Sequence, residues 1–210
     1  MANKCEDFLN QCIGASCENP IFTGVENKAW IFNKKDIADF TWEEDEDGQK
    51  TNVITAITMV AGKTGYTIDQ IGKTPYTGTT TSMAEGNIAN TFTENISFVV
   101  PDNSPLAGMI LDSLANGKYV VIIENEYDGS DNRGKFQVYG AKKGLVASAI
   151  ENDKYSEDTN GGWSVTLTAT NTPNSSIFIE HKTADTVDTK TYLDTLVSCS
   201  EDEPEEDEEE

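Results

Sequence analysis

The chain has 210 residues, with 15 Lys and Arg against 37 Asp and Glu and a formal charge of −22. Binding of DNA or RNA rests on Lys and Arg displacing phosphate counterions, so this balance argues against a nucleic-acid grip; no stretch approaches the ~20 apolar residues of a membrane-spanning helix. The length suffices for one large domain, or one domain with extensions, around a sizeable core.

Residues 1–27 read as an N-terminal extension. Lys4, Glu6, Asp7 and Glu18 interrupt its first part, so no secretory signal is expected and the chain is expected to stay in a cytoplasm. Cys5, Cys12 and Cys17 crowd this segment, and Cys199 stands far away. Their spacings are not those of a structural zinc site, and a disulfide framework would suit a secreted chain. Free thiols are expected, and no metal or other cofactor.

Residues 28–180 predict a mainly-β domain: a β-sandwich or barrel with one flanking α-helix and long loops. Residues 29–33 and 36–42 are short apolar-aromatic runs, and the acids at 43–47 read as a solvated loop. Residues 51–60 are rich in β-branched side chains. With a turn at 61–65 and a strand at 66–71 they predict a hairpin. Residues 72–87, rich in Gly, Thr and Ser, predict a long loop or an extended, weakly packed hairpin arm. With residues 43–50 this segment is expected to serve assembly, Tyr76 and Met83 ordering against a neighbouring subunit. In the strand region 88–100, Phe92, Ile96 and Phe98 share one face, which Glu94 interrupts.

Residues 104–117 predict a helix, with Ser104 as N-cap, Pro105 at the first position and Gly117 as the stop. Leu106, Met109, Ile110 and Leu114 recur at helical spacing and are expected to lie on a sheet. Residues 118–126 carry Val120, Val121, Ile122 and Ile123 in one run and predict a strand covered on both faces. Strands at 135–140, 145–150, 163–169 and 176–180 complete a set of about eight to ten. Residues 181–200 form a C-terminal extension with a small apolar patch, Tyr192, Leu193, Leu196 and Val197. Residues 201–210, nine acids and one proline, predict a disordered acidic tail that contributes nothing to the fold. Without those nine charges the body keeps −13 of the −22. An acidic body either serves solubility or repels DNA that passes beside it.

The chemistry-bearing residues assemble into no known site. Residues 128–139 fail as a calcium loop, because Gly134 falls one position late and Tyr139 stands where the bidentate glutamate belongs. Gly62, Lys63 and Thr64 resemble the end of a phosphate loop, but Ile57 occupies the place of its first glycine. His181, the single histidine, has no nucleophile motif beside it and is expected to be exposed. No acid sits in an apolar context that would raise its pKa. Trp30, Trp42 and Trp163 are expected to be core or interface anchors, with a sugar-stacking platform as the alternative. No catalytic, cofactor-binding or metal residue is assigned, and the chain is not expected to be an enzyme.

Two segments, KFQVYGAKKGL at 135–145 and GGWSVTLTAT at 161–170, are joined by a polar loop. They resemble a pattern in structural proteins of tailed phages and prophages of gut Bacteroidales. A β-sandwich with a side helix, long acidic or Thr-rich loops and polar termini is similar to phage tail-tube (major tail) proteins, and the resemblance covers residues 92–179. It implies a virion structural protein that self-assembles as a homohexamer. The sheets of neighbouring subunits would close a continuous barrel, so that no strand edge is left open. The rings would stack into a viral tail tube through which DNA passes without specific binding. Other tail or head proteins would be the partners, no membrane would be involved, and assembly would take place in the host bacterial cytoplasm. A capsid decoration or head–tail joining protein is one alternative, and a carbohydrate-binding β-sandwich is another.

Overall fold

The computed structural model describes residues 23–72, 74–86, 89–129, 133–183 and 186–198. The elements run β1 (Val25–Asn33), a single 3-10 turn (Lys34–Asp36), β2 (Ile37–Glu44), β3 (Lys50–Met59), β4 (Tyr66–Asp69), β5 (Thr80–Ala84) and β6 (Thr91–Val100). Then come α1 (Pro105–Asn116), β7 (Tyr119–Asn125), β8 (Phe136–Tyr139), β9 (Val146–Asn152) and β10 (Trp163–Thr172). β11 (Phe178–Ile179), β12 (Lys182–Thr183), β13 (Thr186–Val187) and α2 (Thr189–Thr195) complete the order.

The fold is mainly β. A seven-stranded sheet has the order β2-β3-β11-β8-β7-β1-β4, and a four-stranded sheet has the order β5-β6-β10-β9. Side chains alternate across a strand, and β1 and β7 use both faces. Ile31, Val121 and Ile123 point toward the four-stranded sheet and meet Ile96, Phe98, Val165 and Leu167 in an inner core, with Leu111 and Leu114 of α1 in the same cluster. Trp30, Phe32, Val120 and Ile122 point the other way, into an outer core with Ile54, Ile57, Ile177 and Leu193. β7 is therefore covered on both faces, as its unbroken apolar run predicts. Each fully buried side chain of this kind contributes ~1.5–3 kcal/mol.

Hydrogen bonds tie the two sheets at several separate points. Tyr119 and Leu145 exchange backbone hydrogen bonds of 2.9 and 2.7 Å. Gln70, just after β4, donates from its side-chain amide to the Val99 carbonyl (2.9 Å) and accepts from the Val99 N–H (2.8 Å). Neither tie closes a barrel, and β2, β4, β5 and β9 remain at sheet edges.

Several expectations need correction. Residues 51–60 and 66–71 do not form a hairpin. β3 pairs with β2, and β4 pairs with β1. The nearer partner wins: Asp45 accepts from the N–H groups of Asp47 (3.0 Å) and Gln49 (2.7 Å), and this tight turn closes β2 onto β3. The acids at 43–47 are thus the end of a strand and a turn, not a long loop. Gly65 then lets β4 cross to β1, since a Cβ there would lie 2.4 Å from the Phe32 ring.

Within residues 72–87, β5 pairs antiparallel with β6, which makes the segment a hairpin arm. Tyr76 does not await a neighbour. It is 3% exposed, and its hydroxyl lies 2.8 Å from the Ile68 carbonyl and 3.0 Å from that of Asn27.

The helix stands where it was predicted, and the Ser104 hydroxyl accepts from the Ala107 N–H at 3.2 Å. Its buried stripe is Ala107, Leu111 and Leu114, whereas Leu106, Met109 and Ile110 are exposed. Gly117 ends the helix at an ordinary φ of −93°; what demands glycine is Tyr119, whose hydroxyl a Cβ would meet at 1.9 Å. Tyr192 and Leu193 of the apolar patch at 192–197 lie on a second helix, α2, which the sequence reading missed; Leu196 caps it and Val197 follows. Leu193 is fully buried, and the Tyr192 hydroxyl accepts from the Ile57 N–H (2.8 Å) and donates to its carbonyl (2.9 Å). His181 is half-buried rather than exposed. It stacks on Tyr192 with ring centroids 3.8 Å apart, and its Nδ1 donates to the Thr55 carbonyl at 2.9 Å. The four cysteines and residues 201–210 lie outside the described residues.

Candidate functional site at an apolar groove

The rotation of α1 leaves an apolar surface uncovered. Leu106 is 64% exposed, Met109 68% and Ile110 46%. Opposite them runs β4, the last strand in the order of its sheet. Between helix and strand lies a groove of about 1170 Å³, bounded also by Ile31, Phe98 and Val100. Tyr66, on β4, is more than half exposed at the same place. Lys34, Lys35 and Lys118 border the end where β1 finishes and β7 begins. The Lys34 ammonium is taken by the Ala141 carbonyl at 2.7 Å. Burial lowers its pKa, with Lys142 adding to the effect. Lys35 and Lys118 are exposed, and neither joins an ion pair among the described residues. The groove thus has one apolar wall, one strand at the edge of its sheet and one cationic end.

The remaining charged groups serve the fold. Arg133 donates to Glu180 at 2.7 Å and to Glu43 at 2.8 Å, which raises its pKa. Burial pushes the Glu180 carboxyl up, but hydrogen bonds from Lys182 and Arg133 outweigh it and hold the pKa below the usual range. Glu124, also buried, is met by Lys190 at 2.8 Å and Lys135 at 3.5 Å. Asp194 accepts from Lys28 and from the Trp30 indole, both at 2.8 Å. Burial is overcome there too, and its pKa is lowered.

Glu94 is the exception, and the sequence reading misjudged it. It is 3% exposed, at the apolar strand face it was seen to interrupt. Burial raises its pKa; a 2.8 Å hydrogen bond from the Gly140 N–H only partly offsets this. Tyr139 nearby is raised by burial and by the Glu94 charge. The alternation of β6 was the signal available: a carboxylate on an apolar face either leaves the core or enters it with a shifted pKa.

The tryptophans do not gather. Trp30 is fully buried, Trp42 lies edge-on to Phe40 with the Lys142 ammonium 3.8 Å above its ring, and Trp163 is half-buried against the inner core. No group of three or more His, Cys, Asp or Glu suited to a metal occurs among the described residues. No helix among them is long and apolar enough to cross a membrane. No protein-family model, curated protein or solved structure matches the chain.

Proposed function

We propose that this chain is a virion structural protein, a tail-tube subunit that assembles into stacked rings around a DNA conduit. The observation that carries the reading is the openness of its sheets. β5 forms one edge of the four-stranded sheet with Thr80, Thr81, Ser82 and Met83 exposed, and no barrel closes among the described residues. An open edge invites another strand, and a monomer that lives alone normally blocks it. Pairing such edges between subunits in a ring consumes them, and an acidic surface lets DNA slide past without sticking. The three tryptophans offer no shared exposed platform, which leaves the sugar-binding alternative without a surface.

The test is negative-stain electron microscopy and light scattering on the purified chain at rising concentration. Rings that stack into tubes are expected. Met83→Lys, on the exposed edge strand, should keep the melting temperature and suppress assembly. A chain that stays monomeric at every concentration would overturn the proposal. Closed oligomers that never stack would favour the decoration or head–tail joining role.

A further inference from the structure

Lys28, Lys135, Lys182 and Lys190 each meet a carboxylate. Lys35, Lys63, Lys118 and Lys143 are exposed and join no ion pair among the described residues. The backbone nevertheless gathers them at one place. The Lys34 N–H donates to the Lys118 carbonyl at 2.8 Å. A Cβ on Gly144, next to Lys143, would lie 3.2 Å from the Lys118 Cβ and 3.5 Å from the Lys34 Cβ. The Lys63 N–H donates to the Val60 carbonyl, and the Val60 N–H to the Asp36 carbonyl, both at 2.9 Å. Two acids stand near, and both are engaged: Asp36 is buried and accepts from the Asn33 amide at 2.8 Å, and Asp39 accepts from the Phe40 N–H at 2.8 Å. On a chain of −22 this is a cationic surface without its counter-charge.

The β2–β3 hairpin that leaves from these lysines ends in the complementary charge. Glu44, Asp45, Glu46 and Asp47 are exposed at its tip and join no ion pair among the described residues. Lys50, opposite Glu44, offsets only one of them. The eight residues of β2 hold tip and base roughly 23 Å apart, so the two clusters of one chain do not meet.

We propose that the acidic tip of the β2–β3 hairpin, residues 44–47, docks on the cluster Lys35, Lys63, Lys118 and Lys143 of a second copy of this chain. The chain supplies both halves of the match. Asp45 closes the turn through its bonds to the Asp47 and Gln49 N–H groups, so the acids are presented with little left to order on contact. A nucleic-acid strand would satisfy the lysines alone and then run over acidic surface, whereas a hairpin tip covers only the patch. Charge matching of this kind sets register and speeds encounter more than it adds affinity, and it weakens as salt screens it. The contact adds a partner surface to the self-assembly proposed above, but it needs only two copies and no ring.

The test is charge reversal in the full chain, with association followed by sedimentation velocity. One variant carries Lys35→Glu, Lys118→Glu and Lys143→Glu; the other carries Glu44→Lys, Glu46→Lys and Asp47→Lys, leaving Asp45 to close the turn. Each alone should associate about tenfold more weakly than the unaltered chain, the sum of a few surface pairs. An equimolar mixture of the two should regain the loss, because each then meets an opposite charge. About 1 M salt, where screening acts within about 3 Å, should weaken the unaltered chain in the same way. Should a triple variant fail to fold, Lys143→Glu and Glu46→Lys repeat the scheme singly, with about two- to fivefold effects. Equal association in every sample, or a mixture no better than its components, would overturn the proposal. So would lysine-dependent binding of an added oligonucleotide without association between copies. The tube reading fails separately, by the absence of stacked rings while the charge pattern holds.

Discussion

The two helices make opposite use of the same fold. α1 carries every local signal: the Ser104 cap, Pro105 at its start and a dense apolar stripe. Yet it buries only its Ala107, Leu111 and Leu114 side. α2 has seven residues and no side-chain cap bond, but it inserts Leu193 into the outer core and clamps Ile57 through Tyr192. Local signals decide whether a segment coils. Which face is buried, and how firmly the segment is held, is decided by what it meets.

The strongest way to break this contrast is a pair of leucine deletions. Leu193→Ala, at a site with no exposure, should cost ~2–5 kcal/mol. Leu106→Ala, in the longer helix, should cost under ~1 kcal/mol. Denaturant unfolding of both variants measures this, and equal losses would show that α1 is anchored through the face that stands bare. A smaller effect isolates the clamp on α2. Tyr192→Phe removes the hydroxyl shared by the Ile57 N–H and carbonyl and leaves them unpaired, a loss of ~1–3 kcal/mol in thermal or chemical unfolding.

The smallest effect concerns pH, and its sign differs between the two cores. Glu94, in the inner core beside Tyr139, has a raised pKa. Its contribution to stability is full below the unfolded carboxylate value and is lost as pH rises through the folded value. Asp194, on α2, has a lowered pKa. Its contribution is full above the unfolded value and is lost as pH falls through the folded one. Glu94→Gln should therefore flatten the stability profile on its rising-pH side, and Asp194→Asn should flatten it on the acid side. Unfolding midpoints across pH 3–8 are the measurement, and a slope change of the same sign in both variants would contradict the assignment.

What could be read in the sequence follows the same division. The extent of α1 and the two-sided burial of β7 were legible because a cap, a proline and an unbroken β-branched run act within a few residues of themselves. The partner of β4 was not, because Tyr66–Asp69 chooses β1 through a crossing that depends on Phe32 and Gly65. The α1 stripe of Leu106, Met109 and Ile110 misled for a related reason: hydrophobicity favours the richest face, but Ala107 allows the closer approach to the sheets. Glu94 was visible as an interruption, while its burial depends on β8 and the Gly140 turn far along the chain. The groove could not be foreseen at all, since it exists only where the bare face of α1 stands across from the last strand of a sheet.

Gln70 adds a consequence for motion. Its amide imitates one residue of a missing strand, and with the Tyr119–Leu145 pair and the bond from the Gly140 N–H to Glu94 it pins the two layers at three points. A sandwich pinned once could swing open like a book and expose its interior in small excursions. Pinned at three places, its layers can part only when every fastening releases together. Amide protons of Val121, Ile123 and Leu167 should then exchange with solvent only in the rare events that dismantle the whole domain.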